Sequence, residues 1–161
     1  MKKILLFALT FLFAASCNDS SPSKKDSKNG AEQNSAPSAK TEIILNSDDT
    51  MKFDKNILLI PAGKKITLTL NHNGKFSKVG MGHNFVLLKA DINVSEFAEK
   101  AILARKTDYI PEGDEIIAHT KMLGGGESDT ITFDAPKKGY YTFICTFPGH
   151  WQLMKGKLIV K

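Results

Sequence analysis

One segment of the chain concentrates side chains that can hold a metal. Cys145-Thr146-Phe147-Pro148-Gly149-His150-Trp151-Gln152-Leu153-Met154 carries a thiol, an imidazole and a thioether at i, i+5 and i+9. A helix turning about 100° per residue would scatter the three over different faces. A strand would set Cys145 opposite the other two, because both offsets are odd. Pro148-Gly149 interrupts either element. Only a loop leaving the end of a strand brings all three to one point, and the strand is Tyr140 to Cys145. Thiolate and thioether are soft donors and imidazole is borderline, a set that favours copper; structural zinc commonly takes four Cys or His and seldom a thioether. One Cys, two His and a distant Met make a type 1 copper set, so a second histidine is required.

The candidates for it are His72, His83 and His119. His83 is the strongest. It lies in Met81-Gly82-His83-Asn84 at the start of an apolar strand, and Gly82 lets the backbone approach a metal and offer its carbonyl as a weak axial donor. His72 is read in a turn, Asn71-His72-Asn73-Gly74, and His119 at the end of a strand, facing solvent or a sheet surface.

These residues need a rigid scaffold, and the chain reads as strands. The stretches Glu42–Leu45, Asn56–Ile60, Lys64–Asn71, Asn84–Leu88, Glu115–His119, Asp129–Phe133, Tyr140–Thr146 and Gly156–Val160 favour β structure. Apolar residues alternate in Lys65-Ile66-Thr67-Leu68-Thr69-Leu70 and in Thr130-Ile131-Thr132-Phe133. Turn residues separate them at Pro61-Ala62-Gly63, Asn73-Gly74, Gly124-Gly125-Gly126 and Pro136 to Gly139. About eight short strands predict an antiparallel sandwich or barrel. Val94, Phe97, Ala98, Ala101 and Ile102 instead fall at helical spacing, with Asn93 or Ser95 available as a cap. Lys89 to Asp114 is therefore read as a helical flap inserted between two strands.

The N-terminus reads as an address. Lys2 and Lys3 precede a ten-residue apolar run, Ile4 to Phe13, too short to span a membrane. Ala14, Ala15, Ser16 and then Cys17 follow, a pattern similar to a lipoprotein signal. Residues 1–16 are read as the leader and Cys17 as the lipidated residue, with acyl chains that tether the protein to a membrane. Asn18 to Lys40 contain no Val, Ile, Leu, Met or aromatic residue, so they cannot offset their chain entropy by burial and are read as a flexible tether. As a random coil it spans on the order of 25 Å. The folded domain is expected over 41–161.

The 161 residues suit one domain of ordinary size. Removing Lys2 and Lys3 with the leader lowers the formal net charge from +5 to +3, too weak and scattered to suggest nucleic acid. Two cysteines exclude a disulfide-rich scaffold, and neither GxxxxGK[ST] nor GxGxxG occurs to bind nucleotide phosphates.

Met81-Gly82-His83-Asn84, Cys145-Thr146-Phe147-Pro148-Gly149-His150 and Met154-Lys155-Gly156 together resemble the azurins, blue copper proteins of the cupredoxin fold. Ile117-Ala118-His119-Thr120-Lys121 and the later glycine turn are similar too, so the resemblance runs from about Thr41 to Lys161. It implies an all-β Greek-key sandwich or barrel. It implies that Cys145, His83 and His150 form a trigonal plane around one copper ion, with Met154 and the Gly82 carbonyl axial. Asn84 and Phe147 match positions whose backbone amides hydrogen-bond the cysteine sulfur, and His72 matches a nearby titrating histidine that is not a ligand. The family's disulfide is absent, its core tryptophan is Phe85 here, and Trp151 stands where a small residue is usual.

The resemblance implies an electron carrier rather than an enzyme, cycling Cu(I) and Cu(II) with no position open to a small-molecule substrate. The implied partners are redox proteins such as a c-type cytochrome or a terminal reductase, and the membrane through the lipid anchor. Met51, Phe76, Met81, Phe147, Pro148, Trp151 and Leu153 are candidates for an apolar docking patch over the second histidine, which Trp151 would enlarge. The expected location is the bacterial envelope facing the periplasm, the outer membrane favoured. A copper-storage or copper-delivery lipoprotein is the main alternative. A Cys145 nucleophile with a His base lacks an obvious third group, and a binuclear copper centre needs a second nearby cysteine.

Overall fold

The computed structural model describes residues 39–161. The leader, Cys17 and the tether up to residue 38 lie outside them. The elements run β1 (Glu42–Asp48), β2 (Lys52–Phe53), β3 (Ile57–Ile60), β4 (Lys65–His72), α1 (Lys78–Met81), β5 (Val86–Leu88), α2 (Val94–Leu103), β6 (Ile116–His119), β7 (Ser128–Asp134), β8 (Gly139–Ile144) and β9 (Lys155–Val160). They form two sheets, ordered β2-β1-β4-β7 and β3-β9-β8-β5-β6. The fold is a two-sheet sandwich of nine strands rather than a closed barrel. The extra strand, β2, is two residues long, below what alternation can show.

The expectation of an antiparallel arrangement is corrected at two pairs. β1 runs parallel to β4, and β3 parallel to β9. Alternation tells which face a residue takes, not which way its neighbour runs.

Ile66, Leu68, Leu70 and His72 of β4 all point inward. The period of two that buries three aliphatic residues carries His72 inward with them. His72 is thus the buried last residue of a strand, not a turn residue. The main core lies between the sheets, where Leu45, Leu68, Phe85 and Phe143 are fully buried. Phe85 and Phe143 pack with ring centroids 5.3 Å apart.

β5 is buried on both faces. Leu87 joins the main core, while Val86 and Leu88 meet Phe97 and Ala101 of α2 in a second cluster. The flap helix is therefore an outer layer on the second sheet. Its cap is Asn93, whose side chain accepts from the backbone N–H groups of Ser95 and Glu96.

Candidate metal centre

The site forms where strands end. β8 and β9 pair antiparallel as far as Ile144 and Lys155, and one further bond, Cys145 N–H to the Met154 carbonyl at 2.9 Å, continues the ladder. That bond places the two sulfur-bearing residues side by side. The eight intervening residues must reverse within a short span. Gly149 does so at φ 81°, a left-handed conformation that costs glycine little. The Leu153 and Met154 N–H groups then donate to the His150 carbonyl at 3.0 and 2.7 Å, and His150 N–H to Phe147 O at 3.0 Å. The loop turns His150 back until its Nδ1 lies 3.7 Å from Cys145 Sγ.

His83 arrives from the other side. Its backbone exchanges two hydrogen bonds with Leu123, at 3.0 and 2.8 Å. Its Nε2–H donates to the Asp48 carbonyl at 2.9 Å. A carbonyl only accepts, so this contact fixes the proton on Nε2 and leaves the Nδ1 lone pair free. That Nδ1 lies 3.2 Å from Nδ1 of His150. The donor atoms of His83, Cys145 and His150 all fall within 4.8 Å of one another, and all three residues are buried. The Gly82 carbonyl is 3.8 Å from Cys145 Sγ. A Cβ on Gly82 would sit 2.6 Å from the Lys78 carbonyl and 2.9 Å from Met122, so only glycine permits this approach.

Asn84 joins the two ligand segments. Its Nδ2 donates to Thr146 Oγ1 at 2.7 Å, and its Oδ1 accepts from the Thr146 N–H at 2.8 Å. The backbone amides of Asn84 and Phe147 favour the ionised form of the Cys145 sulfur.

Burial pushes the Cys145 thiol up to about 12, those two amides pulling the other way. Burial also holds His150 down at about 4, helped by the neighbouring rings of His83 and His72. His83 is lowered by burial, against the pull of the Asp48 carbonyl. Neutral imidazoles with free lone pairs are what a cation needs, and a cation in turn takes the thiol proton's place.

The donor set fits copper. Three Cys/His donors are one short of a structural zinc site, whereas N₂S with an adjacent buried thioether suits copper.

The other predicted residues fall as follows. His72 stacks on His83, with ring centroids 4.2 Å apart at 25°. Its Nε2–H donates to Met81 O at 2.8 Å, and its Nδ1 accepts from Gly74 N–H at 3.1 Å, so it supports the ligand without joining it. His119 is exposed on β6 and stands apart from the three donors. Phe76 and Leu153 are exposed; Met51, Met81, Phe147 and Pro148 are half-buried. Trp151 is half-buried and packs against the cluster beneath α2, so only part of its ring remains for a docking face. Val79, in α1, is exposed and adds to the apolar residues nearby. Sequence reasoning missed it because a four-residue helix leaves no periodicity. It also missed Asp48 and Leu123, which act through backbone groups that carry no side-chain signal.

A family model described as copper binding proteins, plastocyanin/azurin family, matches residues 39–161. The chain is 42% identical over 125 residues to Azurin-2 of Alcaligenes xylosoxydans xylosoxydans, which covers 74% of this chain and 97% of that protein. It is 43% identical over 118 residues to outer membrane protein H.8 of Neisseria gonorrhoeae, covering 71% of this chain and 64% of that one. Among solved structures it is similar to dithionite-reduced auracyanin from the photosynthetic bacterium Roseiflexus castenholzii. That match has a TM-score of 0.71 and 38% identity, and covers 77% of this chain and 99% of that chain.

Proposed function

The chain belongs to the plastocyanin/azurin family of copper binding proteins, and from that premise we propose that it is an envelope-anchored blue copper protein carrying single electrons between redox partners. The observation that carries this reading is the convergence of three buried donors, His83, Cys145 and His150, on one point. Copper, when bound there, supplies a one-electron couple between Cu(I) and Cu(II).

The chain's own residues do the rest. His83, Cys145 and His150 would hold the ion, with Met154 and the Gly82 carbonyl beside them as weaker donors. The Asp48 carbonyl orients His83, and the Asn84–Thr146 contacts lock the two ligand segments together. A cage held this firmly rearranges little when charge changes, which keeps the barrier to transfer low. The enclosed donor set leaves no place for a substrate, so the protein acts as a carrier and not as an enzyme.

Electrons leave at His150. Its Nε2 meets no hydrogen-bonding group among the described residues, where no buried side-chain polar atom lacks a partner; this nitrogen therefore reaches solvent. Phe76, Leu153 and the half-buried Met51, Met81, Phe147, Pro148 and part of Trp151 form the apolar surface that meets a c-type cytochrome or a terminal reductase. A small apolar contact suits complexes that must part quickly. Cys17, lipidated, holds the protein on the periplasmic side of a membrane, and the relative named outer membrane protein H.8 supports the outer membrane.

Absorption of the copper-loaded chain tests the reading. An intense visible band, bleached by reductant and abolished in Cys145→Ser together with rapid electron exchange, is the expected result. A colourless Cu(II) form, or a Cys145→Ser variant of unchanged colour and rate, overturns it. Metal release to an apo acceptor that outpaces electron exchange would favour copper delivery instead.

A further inference from the structure

The end of the sandwich away from the metal has its own chemistry. β1 ends at Asp48 beside His83, and β8 runs into Cys145, so the starts of β1, β4 and β8 share the opposite pole with the ends of β3, β7 and β9. Three backbone bonds stitch that pole together: Lys40 N–H to Leu59 O at 3.0 Å, Ala62 N–H to Lys161 O at 2.8 Å, and Ala135 N–H to Lys64 O at 2.8 Å. Lys40, Lys64, Lys65, Lys137, Lys138 and Lys161 are all exposed there. Among the described residues the acids at this pole are Glu42 and Asp134 and, where β5 ends and β6 begins, Asp91, Asp114 and Glu115; Asp134, Asp114 and Glu115 already pair with Lys65, Lys89 and Lys100 at 2.9, 3.0 and 3.0 Å, which leaves the lysines in excess. The chain before Ala39 joins the domain at this pole.

Apolar surface runs from Lys40 and Lys161 along the side of the sandwich, where Ile44 and Ile57 lie level with Thr69 and Lys157. A groove of about 580 Å³ opens between the edges of β1 and β3, lined by Ile44, Ile57, Leu59, Ile159, Lys40 and Lys161. Ile44 and Ile57 are 60% and 58% exposed, and Tyr140, paired with Ile159 across the sheet, is 72% exposed. Lys55 at the rim is neutralised by Asp54 and ties the edge by donating to the Ile44 carbonyl at 2.9 Å.

We infer that this pole and the side groove adjoining it rest on an anionic lipid bilayer, the lysines on the headgroups and Tyr140, Ile44 and Ile57 at the interface. The charge fits that partner: lysines near an anionic surface attract it additively, and an exposed tyrosine beside aliphatic side chains suits the headgroup level. The place where the tether enters fits as well, since the chain that leads to Cys17 leaves the domain at this pole and not at the metal end. The His150 edge then faces away from the bilayer, toward soluble partners. The orientation rests on the anchored reading of Cys17; the lipid affinity of the face does not.

The two are separated by using the full mature chain with Cys17→Ser, which has no acyl chain in any case. Its sedimentation with vesicles of phosphatidylethanolamine and phosphatidylglycerol is compared with that on phosphatidylcholine vesicles. Binding to the first only, weakened by salt, is expected. Lys137→Glu/Lys138→Glu lowers it by about fivefold or more per lysine, and Ile44→Ser/Ile57→Ser lowers it at unchanged net charge. Lys75→Glu/Lys121→Glu, at the metal end and of equal charge change, leaves it within about twofold. Each variant is checked for an unchanged copper spectrum and melting temperature. Equal binding to both vesicle types, equal loss in the metal-end variant, or self-association through Ile44 and Ile57 in sedimentation equilibrium overturns the inference. Mass spectrometry of the native chain tests the lipid on Cys17 by itself: its absence removes the anchor and leaves the result of the vesicle experiment standing.

Discussion

His83 and His150 present the same ring atom to the site, yet they are held in opposite ways. His83 is bonded to Leu123 through its backbone on both sides, to Asp48 through Nε2, and is covered by the stacked ring of His72. His150 is held by one short turn and by Phe147, whose ring lies 4.6 Å away, and its Nε2 opens to solvent. The β sandwich secures the first ligand, whereas a loop secures the second. Rigidity and access are thus divided between two residues that a ligand list would treat as equivalent.

Truncating each ring breaks the comparison most sharply. His83→Gly and His150→Gly should each lose at least about 100-fold in copper affinity, since even an outer-shell partner accounts for 10–100-fold. Free imidazole separates them. Around residue 150 the hole opens to solvent, so added imidazole enters and the visible band returns. Around residue 83 the hole is sealed under His72, and imidazole restores little. Equal recovery in a titration followed by absorbance would show that both ligands are open, and the division of roles would fail.

Asn84 links the closed side to the open one, and its removal should have the next largest effect. Asn84→Ala breaks both contacts with Thr146 and leaves the Thr146 N–H buried without a partner. The expected cost is about 2–4 kcal/mol in denaturant unfolding of the metal-free protein. A cost below about 1 kcal/mol would mean that the two segments hold their places independently.

How far these arrangements can be read without coordinates depends on what carries them. The loop from Cys145 to Met154 was legible because the donor types are rare together and the spacing admits only a turn. α2 was legible from Phe97, Ala98 and Ala101, which repeat at helical spacing on one buried face. The inward strand residues followed from alternation. His72 misled because Asn71 and Asn73-Gly74 have turn composition, while the pattern begun at Ile66 decided its place. Asp48 and Leu123 were invisible since any residue has a carbonyl and an amide. The parallel pairing of β1 with β4 was equally hidden, because side-chain periodicity is blind to strand direction. Trp151 looked like surface on composition alone; the cluster under α2 that half-buries it exists only once the flap has folded back.

Acid sensitivity sharpens the contrast between the two histidines on a smaller scale. Burial, with His83 and His72 nearby, holds His150 at about 4 against an ordinary 6.5, and His83 is lowered in the same direction with its shift opposed by Asp48. A folded-state value below the unfolded one means that the unfolded chain binds more protons between the two. The metal-free fold should therefore be indifferent to His150 above about 6.5 and lose stability as the pH falls from there to about 4. Loaded protein should show a flatter profile, because occupied Nδ1 atoms take up no proton until the metal leaves. Urea midpoints across that window, measured with and without copper, check both statements. His150→Gly should remove more of the metal-free slope than His83→Gly, since the larger displacement belongs to the loop ligand. Equal slopes would mean that burial acts alike on both rings, and that the difference between them lies only in their hydrogen bonds.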